Sequence, residues 1–364
     1  GKFFAFDVQR LIELDPVASC YPVPRQGGRS MWDFSIGRSL SLVLQTWPFV
    51  LFRVFVYTLI TIGYLFAIGA GGGVGWGVGH ISSDPSGPLS FAFGGGAIGF
   101  GVAWLVLYWI REYILYVVKA GHVVVMVHAM DGRPIPGAFD QISYARQVVT
   151  ERFAEANALF VLDQLIKGVL RTISGIFRGL GALLPIPGLQ TLIGFINAVI
   201  ALALTYADEV VLAYNIRSGV NDPWTTSRHA LVLYAQNGKS ILKNAFWLAI
   251  FIWIIGIVFF VLALSPAAYF VYLMPGQFAG WSFVIAIICT WAFLAAFVEP
   301  FAIASLMQAY FKVIEGQAPD PEWDATLAEK SRQFRELKDK AIAAVSGRTA
   351  SYAAAAGYQE GQGR

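Results

Sequence analysis

The sequence is short of charge. Asp, Glu, Lys and Arg supply 13% of its residues, against about 25% in an ordinary soluble domain. With so few charged side chains, a chain of 364 residues cannot cover the surface of a water-soluble globule. Cysteine is nearly absent. Cys20 and Cys289 are the only two, too few for a disulfide framework and too isolated for a metal site. The four histidines, His80, His122, His128 and His229, show no ligand spacing, and His122 and His128 lie six apart, on different faces of a helix. No Ser-His-Asp, paired-cysteine or two-carboxylate constellation is present. No catalytic, cofactor-binding or metal-binding residue is therefore expected, and no enzymatic role. The net charge of +3 is too small to imply a nucleic-acid partner.

What the chain does have is apolar length. Hydrophobic residues make up 57% of it and aromatic residues 15%, and its mean hydropathy is +0.60. No charged residue occurs over residues 245–274 or over residues 279–298. A bilayer core needs roughly 20 such residues per helix. Four spans are plain, at about residues 47–69, 91–118, 245–270 and 281–310. The first residues do not read as a secretory signal, because Asp7, Arg10 and Glu13 interrupt their apolar positions.

Charge asymmetry sets the expected orientation. The connectors at residues 80–90 and 271–280 contain no Lys or Arg. The leading segment holds Lys2, Arg10, Arg25, Arg29 and Arg38, and the segment after residue 310 holds Lys312, Lys330, Arg332, Arg335, Lys338 and Lys340. By the positive-inside rule both termini are cytoplasmic. The expected location is a bacterial inner (plasma) membrane, with membrane lipids and other membrane subunits or a second copy as partners.

The middle third is ambiguous. Residues 111–178 and 217–243 are both basic, so an even number of crossings lies between them. Residues 189–206 make an acceptable span. Their partner, residues 159–184, carries Asp163, Lys167, Arg171 and Arg178. The Pro185-Ile186-Pro187-Gly188 turn breaks the helix between them. The central pair is either transmembrane or re-entrant.

The expected fold is an all-α integral membrane protein with about six hydrophobic helices in three hairpins, joined by amphipathic cytoplasmic linker helices. Its units are an N-terminal amphipathic segment (1–34), hairpins with lead-in helices at 35–135, 136–223 and 224–318, an amphipathic cytoplasmic helix (319–345) and a flexible tail (346–364). The hairpins read as copies of an internal repeat, with exits at Asp131-Gly132-Arg133-Pro134, Gly219 to Pro223, and Gly316 to Pro319. The competing reading is that any hairpin protein has amphipathic lead-ins and Gly-Pro exits.

Two sets of residues stand out. Gly69, Gly73 and Gly77 are spaced by four, Gly71, Gly75 and Gly79 repeat that spacing one face over, and Gly95 and Gly99 answer on the next helix. Such spacing lets helix backbones approach closely in lipid, although a flexible glycine loop is the alternative. Gly69, Gly73, Gly77, Gly95 and Gly99 are the expected packing residues, with Gly73 and Gly95 at close contacts. The second set is a candidate polar seam of Asp163, Lys167, Arg171, Asp208, Glu209 and Glu299. Asp163, Lys167 and Arg171 recur every four residues and are expected to face Asp208 or Glu209. The alternative is an in-plane helix with its charges among the headgroups. Glu299 ends an uncharged run and precedes Pro300, which frees a carbonyl and bends the helix.

Two functions fit these features. One is a non-catalytic accessory or scaffold subunit that packs against other membrane components. The other is a transport-type protein that moves a small or amphiphilic solute along the polar seam.

Overall fold

The computed structural model describes residues 31–81, 86–153, 156–182, 190–220, 222–272, 281–344 and 346. The expected N-terminal amphipathic segment up to residue 30, the Pro185 to Gly188 turn and the tail beyond residue 346 lie outside them. All regular structure among the described residues is helical.

Helix α1 (Ile36–Gln45) is capped by Ser35, whose side chain accepts from the Arg38 N–H. Its buried face, Ser39, Leu42 and Val43, is that of an amphipathic helix pressed on the protein. Thr46 interrupts the helix and Pro48 restarts it near the first position of α2 (Trp47–Gly79), where proline's missing N–H costs nothing. Helix α3 (Gly87–Met130) follows. At 33 and 44 residues, α2 and α3 are roughly 50 and 66 Å long, well beyond the ~30 Å hydrocarbon layer.

These two helices pack on each other along a glycine seam, which uses Gly95 and Gly99 of α3 as expected but a different face of α2. A Cβ at Gly71 would strike the Gly95 carbonyl, one at Gly75 the Phe91 carbonyl, one at Gly79 the Gly87–Pro88 backbone, and one at Gly99 the Ala67 carbonyl. Gly69, Gly73 and Gly77 have nothing within 4 Å, so they do not make the contact. Rows two residues apart are about 200° apart around a helix, and only one can face the partner. The inward row runs Ala67, Gly71, Gly75 and Gly79, small at every position.

Helix α3 changes character along its length. Its first part, Gly87–Leu105, has its apolar surface open. Its last part, Val117–Met130, is the protein's core, with Ala120 and Val123 to Val127 wholly buried. After α4 (Gln141–Phe153) and α5 (Ala156–Ala182) come α6 (Gln190–Thr205) and α7 (Ala207–Ser218), broken at Tyr206. Then follow α8 (Pro223–Gln236), capped by Asp222, and α9 (Gly238–Tyr272). Helix α10 (Trp281–Phe293) passes through a π-helical turn (Leu294–Val298) into α11 (Glu299–Val313). The cytoplasmic helix expected to run unbroken from Pro321 divides at Ser331 into α12 (Pro321–Lys330) and a helix over residues 332–344, α13. The Ser331 hydroxyl restarts the chain by accepting from the Phe334 N–H.

The core is the bundle of the end of α3 with α7, α8 and α11, which are buried around most of their circumference. Helices α3, α7 and α11 each end near a glycine with left-handed backbone, Gly132, Gly219 and Gly316, which supplies the positive φ that closes a helix C-terminus. Arg217 ties these ends together, 3.0 Å from Asp131 and over the Phe311 ring.

Five described helices are long and apolar enough to cross a membrane: Trp47–Gly79, Gly87–Leu105, Gly194–Ser218, Gly238–Tyr269 and Cys289–Val313. Helix α5 is not among them. Its mean apolarity is diluted by Asp163, Lys167, Arg171 and Arg178, and it buries one face, Leu162, Ile166, Val169 and Ile173, on the protein.

Candidate functional site

Charged side chains from four distant parts of the chain meet inside the bundle. Lys119 on α3 places its Nζ 2.6 Å from Glu299 Oε1 and 3.1 Å from Glu209 Oε1. Arg53 on α2 reaches Glu299 Oε2 at 3.4 Å. Its side chain is only 2% exposed, and none of its nitrogens makes a hydrogen bond, so the charge of Glu299 is its compensation. Arg53, Glu209 and Glu299 all lie within membrane-length apolar segments, where an unpaired charge costs roughly 2.5–3.5 kcal/mol on insertion scales. Pairing inside the bundle offsets part of that cost.

Local sequence explains how Glu299 gets there. Pro300 has no N–H, and its ring crowds the carbonyl four residues back. The helix widens instead of breaking, and the Glu299 N–H bonds to the Leu294 carbonyl, five residues earlier. Such single π turns recur at functional sites. This one supplies Leu294, Ala295 and Val298, along with Glu299 just after it, to the wall of a cavity.

That cavity, of about 440 Å³, lies between α2, α3, α5, α6, α7, α9, α10 and the π turn. Lys119, Lys167, Asp208 and Glu299 are its charged lining, and Thr205 and Tyr206 add hydroxyls. Ile252, Leu202, Leu294 and Trp291 form an apolar wall, and Tyr57, in edge contact with Trp291 at 6.3 Å, closes one side. A second, more open groove along α4, with Phe139, Arg146 and Glu151, holds no buried charge.

The six seam residues expected from sequence are placed as follows. Asp163 is buried and pairs with Lys167 on its own helix at 2.9 Å. Lys167 lines the same cavity as Asp208, so this face of α5 does look inward. Asp208, Glu209 and Glu299 stand at the cavity or directly behind it. Arg171 does not join them. It is exposed and makes no ion pair among the described residues. A four-residue step turns the helix 400°, so each step drifts about 40° and two steps carry Arg171 roughly 80° off the seam. Glu209 pairs with Lys119 on α3, not with α5 as expected.

Lys119, Arg53, Tyr206 and Trp291 were not singled out from the sequence. Signals existed for the two cations. Arg53 sits in the apolar run Phe49-Val50-Leu51-Phe52-Arg53-Val54-Phe55, and Lys119 lies just before the run from Val123 to Val127. An ionisable residue inside such a run marks an internal partner. No family model matches the chain, and neither a curated protein nor a solved structure matches it.

Proposed function

We propose that this is a non-catalytic inner-membrane protein of transport type, which takes the polar end of an amphiphilic solute from the bilayer into the cavity beside α5 and α6. One observation carries the reading: the cavity joins a charged floor, Lys119, Lys167, Asp208 and Glu299, to an apolar wall, Ile252, Leu202, Leu294 and Trp291. Its volume falls within the usual range for small-molecule sites, about 300–1,000 Å³. A scaffold would gain nothing from such a floor, since buried ion pairs are commonly no more stabilising than apolar residues of like volume. In this reading both termini and the cavity end of the bundle are cytoplasmic, which the charge asymmetry of the loops supports.

The test is leaflet exchange in reconstituted vesicles. A fluorescent single-chain lipid analogue is quenched from outside by dithionite, and the protein should speed the loss of the protected fraction. Thr205→Trp, which fills the cavity, should abolish the gain. Equal rates with and without protein would defeat the reading. Orientation is tested by placing cysteine at Ser86 in a background lacking Cys20 and Cys289. Labelling only from the cytoplasmic side contradicts it.

The accessory-subunit reading keeps one supporting observation. The loop-side half of the α2–α3 hairpin packs chiefly on itself and exposes Val74, Trp76, Phe93 and Ile98, a surface that a second membrane subunit or another copy would cover. Its test is the oligomeric state in mild detergent, compared with Phe93→Lys. A monomer in both cases removes this support.

A further inference from the structure

The charges around the cavity cancel. Glu209 and Glu299 face Lys119, and Glu299 also faces Arg53, so two acids meet two cations. Lys167 holds Asp163. The remaining acid, Asp208, is hydrogen-bonded to Glu209, the next residue along α7. Two carboxyl groups make that bond only with a proton between them. Among the described residues, Arg53, Lys119, Lys167 and this one proton therefore match Asp163, Asp208, Glu209 and Glu299. A charged headgroup entering here would give up its hydration and find the opposite charges already held. To gain a counter-charge it would have to break an internal pair.

Hydrogen-bonding capacity remains where charge does not. Lys119 has three N–H donors, and its two ion pairs engage two of them at most. Each Glu299 oxygen meets one cation and keeps a second lone pair. The Thr205 hydroxyl donates to the Ala201 carbonyl at 2.7 Å, which leaves its oxygen to accept. Tyr206 brings another hydroxyl to the same space. Resting on the transport reading above, we infer that the solute is an amphiphile with an uncharged, hydroxyl-bearing headgroup, a sugar or glycerol head on an apolar chain. Its hydroxyls accept from Lys119 and donate to Glu299 and Thr205, and its chain lies along Ile252, Leu294 and Trp291. The apolar wall is what excludes a free sugar as the preferred occupant, because that wall offers its hydroxyls no hydrogen bonds.

The experiment reconstitutes the full chain in phosphatidylcholine vesicles and follows four probes that share one fluorescent chain. Their heads are a glucoside, a zwitterionic phosphocholine, an anionic phosphoglycerol and a cationic trimethylammonium. Dithionite reads the leaflet exchange of each, against vesicles without protein. The protein should speed the glucoside by on the order of tenfold more than either charged probe, because the charged heads lose hydration without gaining a counter-charge. It should also favour the glucoside over the phosphocholine, whose two charges each meet the same obstacle. Lys167→Met removes one cation from the cavity and should move the preference toward trimethylammonium. Glu299→Gln removes one acid and should move it toward phosphoglycerol. The two shifts are opposite, and either keeps the inference testable if the other variant does not fold. A charged or phosphocholine probe leading with the parent protein, equal gains for all four, or a ranking that neither variant shifts would overturn this inference and leave the amphiphile reading standing. No gain for any probe overturns both.

Discussion

Lys119 Nζ lies 2.6 Å from Glu299 Oε1, and this contact joins the end of the first long hairpin to the π-bulged helix near the end of the chain. Lys119 also holds Glu209, so one ammonium compensates acids on two other helices. Lys119→Met should leave Glu209 without its cation and Glu299 with Arg53 alone, and destabilise the fold by about 3–5 kcal/mol, the usual cost of removing one member of a buried pair. Adding Glu209→Gln should recover part of the loss. Unfolding in detergent measures both. A Lys119→Met protein as stable as the parent would show that the contact carries no weight.

The glycine seam has a direction that substitution can read. Gly75→Leu should disrupt α2–α3 packing, because its side chain would meet the Phe91 backbone. Gly73→Leu, with nothing within 4 Å, should fold like the parent. Expression yield and thermal stability in detergent compare them. Equal behaviour of the two variants contradicts the seam.

Acid should loosen the contact of α8 with α12 and α13. Asp324 receives Arg228 Nε and Lys338 Nζ, each at 2.7 Å. Burial pushes its carboxyl up, but the hydrogen bonds and charges of Arg228 and Lys338 outweigh burial and hold it below its ordinary 3.8. The folded value is therefore lower than the unfolded one. The stabilisation is complete above the ordinary value and is lost as pH falls through the folded one. The stability gap between the parent and Asp324→Asn should stay flat from pH 8 to about 5 and close below about 4. A gap unchanged down to pH 3 would count against the ion pair. Asp33 lies below its ordinary value in the same way: burial raises it, and Lys243, Asn244 and Lys312 outweigh burial.

Gly132 and Gly316 have φ of +68° and +72° and open space around them. Alanine at either position should cost about 1 kcal/mol through left-handed strain alone, with no change in packing. Unfolding midpoints in detergent give the value, and a neutral Gly316→Ala would contradict it.

Much of the architecture was legible because it follows from solvent preference along the chain. The uncharged runs mark helices that suit hydrocarbon, whatever their neighbours. Asp320 announces a helix start through its own side-chain chemistry, while Asp222, read as part of a hairpin exit, also caps the helix that follows it. Gly132, Gly219 and Gly316 announce the ends of α3, α7 and α11, because few other residues accept a positive φ. Asp163, Lys167, Asp208, Glu209 and Glu299 stood out because charge is costly in apolar sequence.

Partner choice was decided only by the tertiary structure. Helical spacing puts Arg171 on nearly the same stripe as Asp163 and makes the Gly73 row as good as the Gly75 row. The 40° drift and the 200° offset become decisive only once a second helix occupies one side. Spacing within one helix likewise cannot show that Glu209 would meet Lys119, or that Arg53 would meet Glu299, because those pairs form across the bundle between helices far apart in sequence. Composition determined that these charges needed partners. The packing of α2, α3, α7 and α11 determined which partners they found, and set Asp208 at the cavity wall.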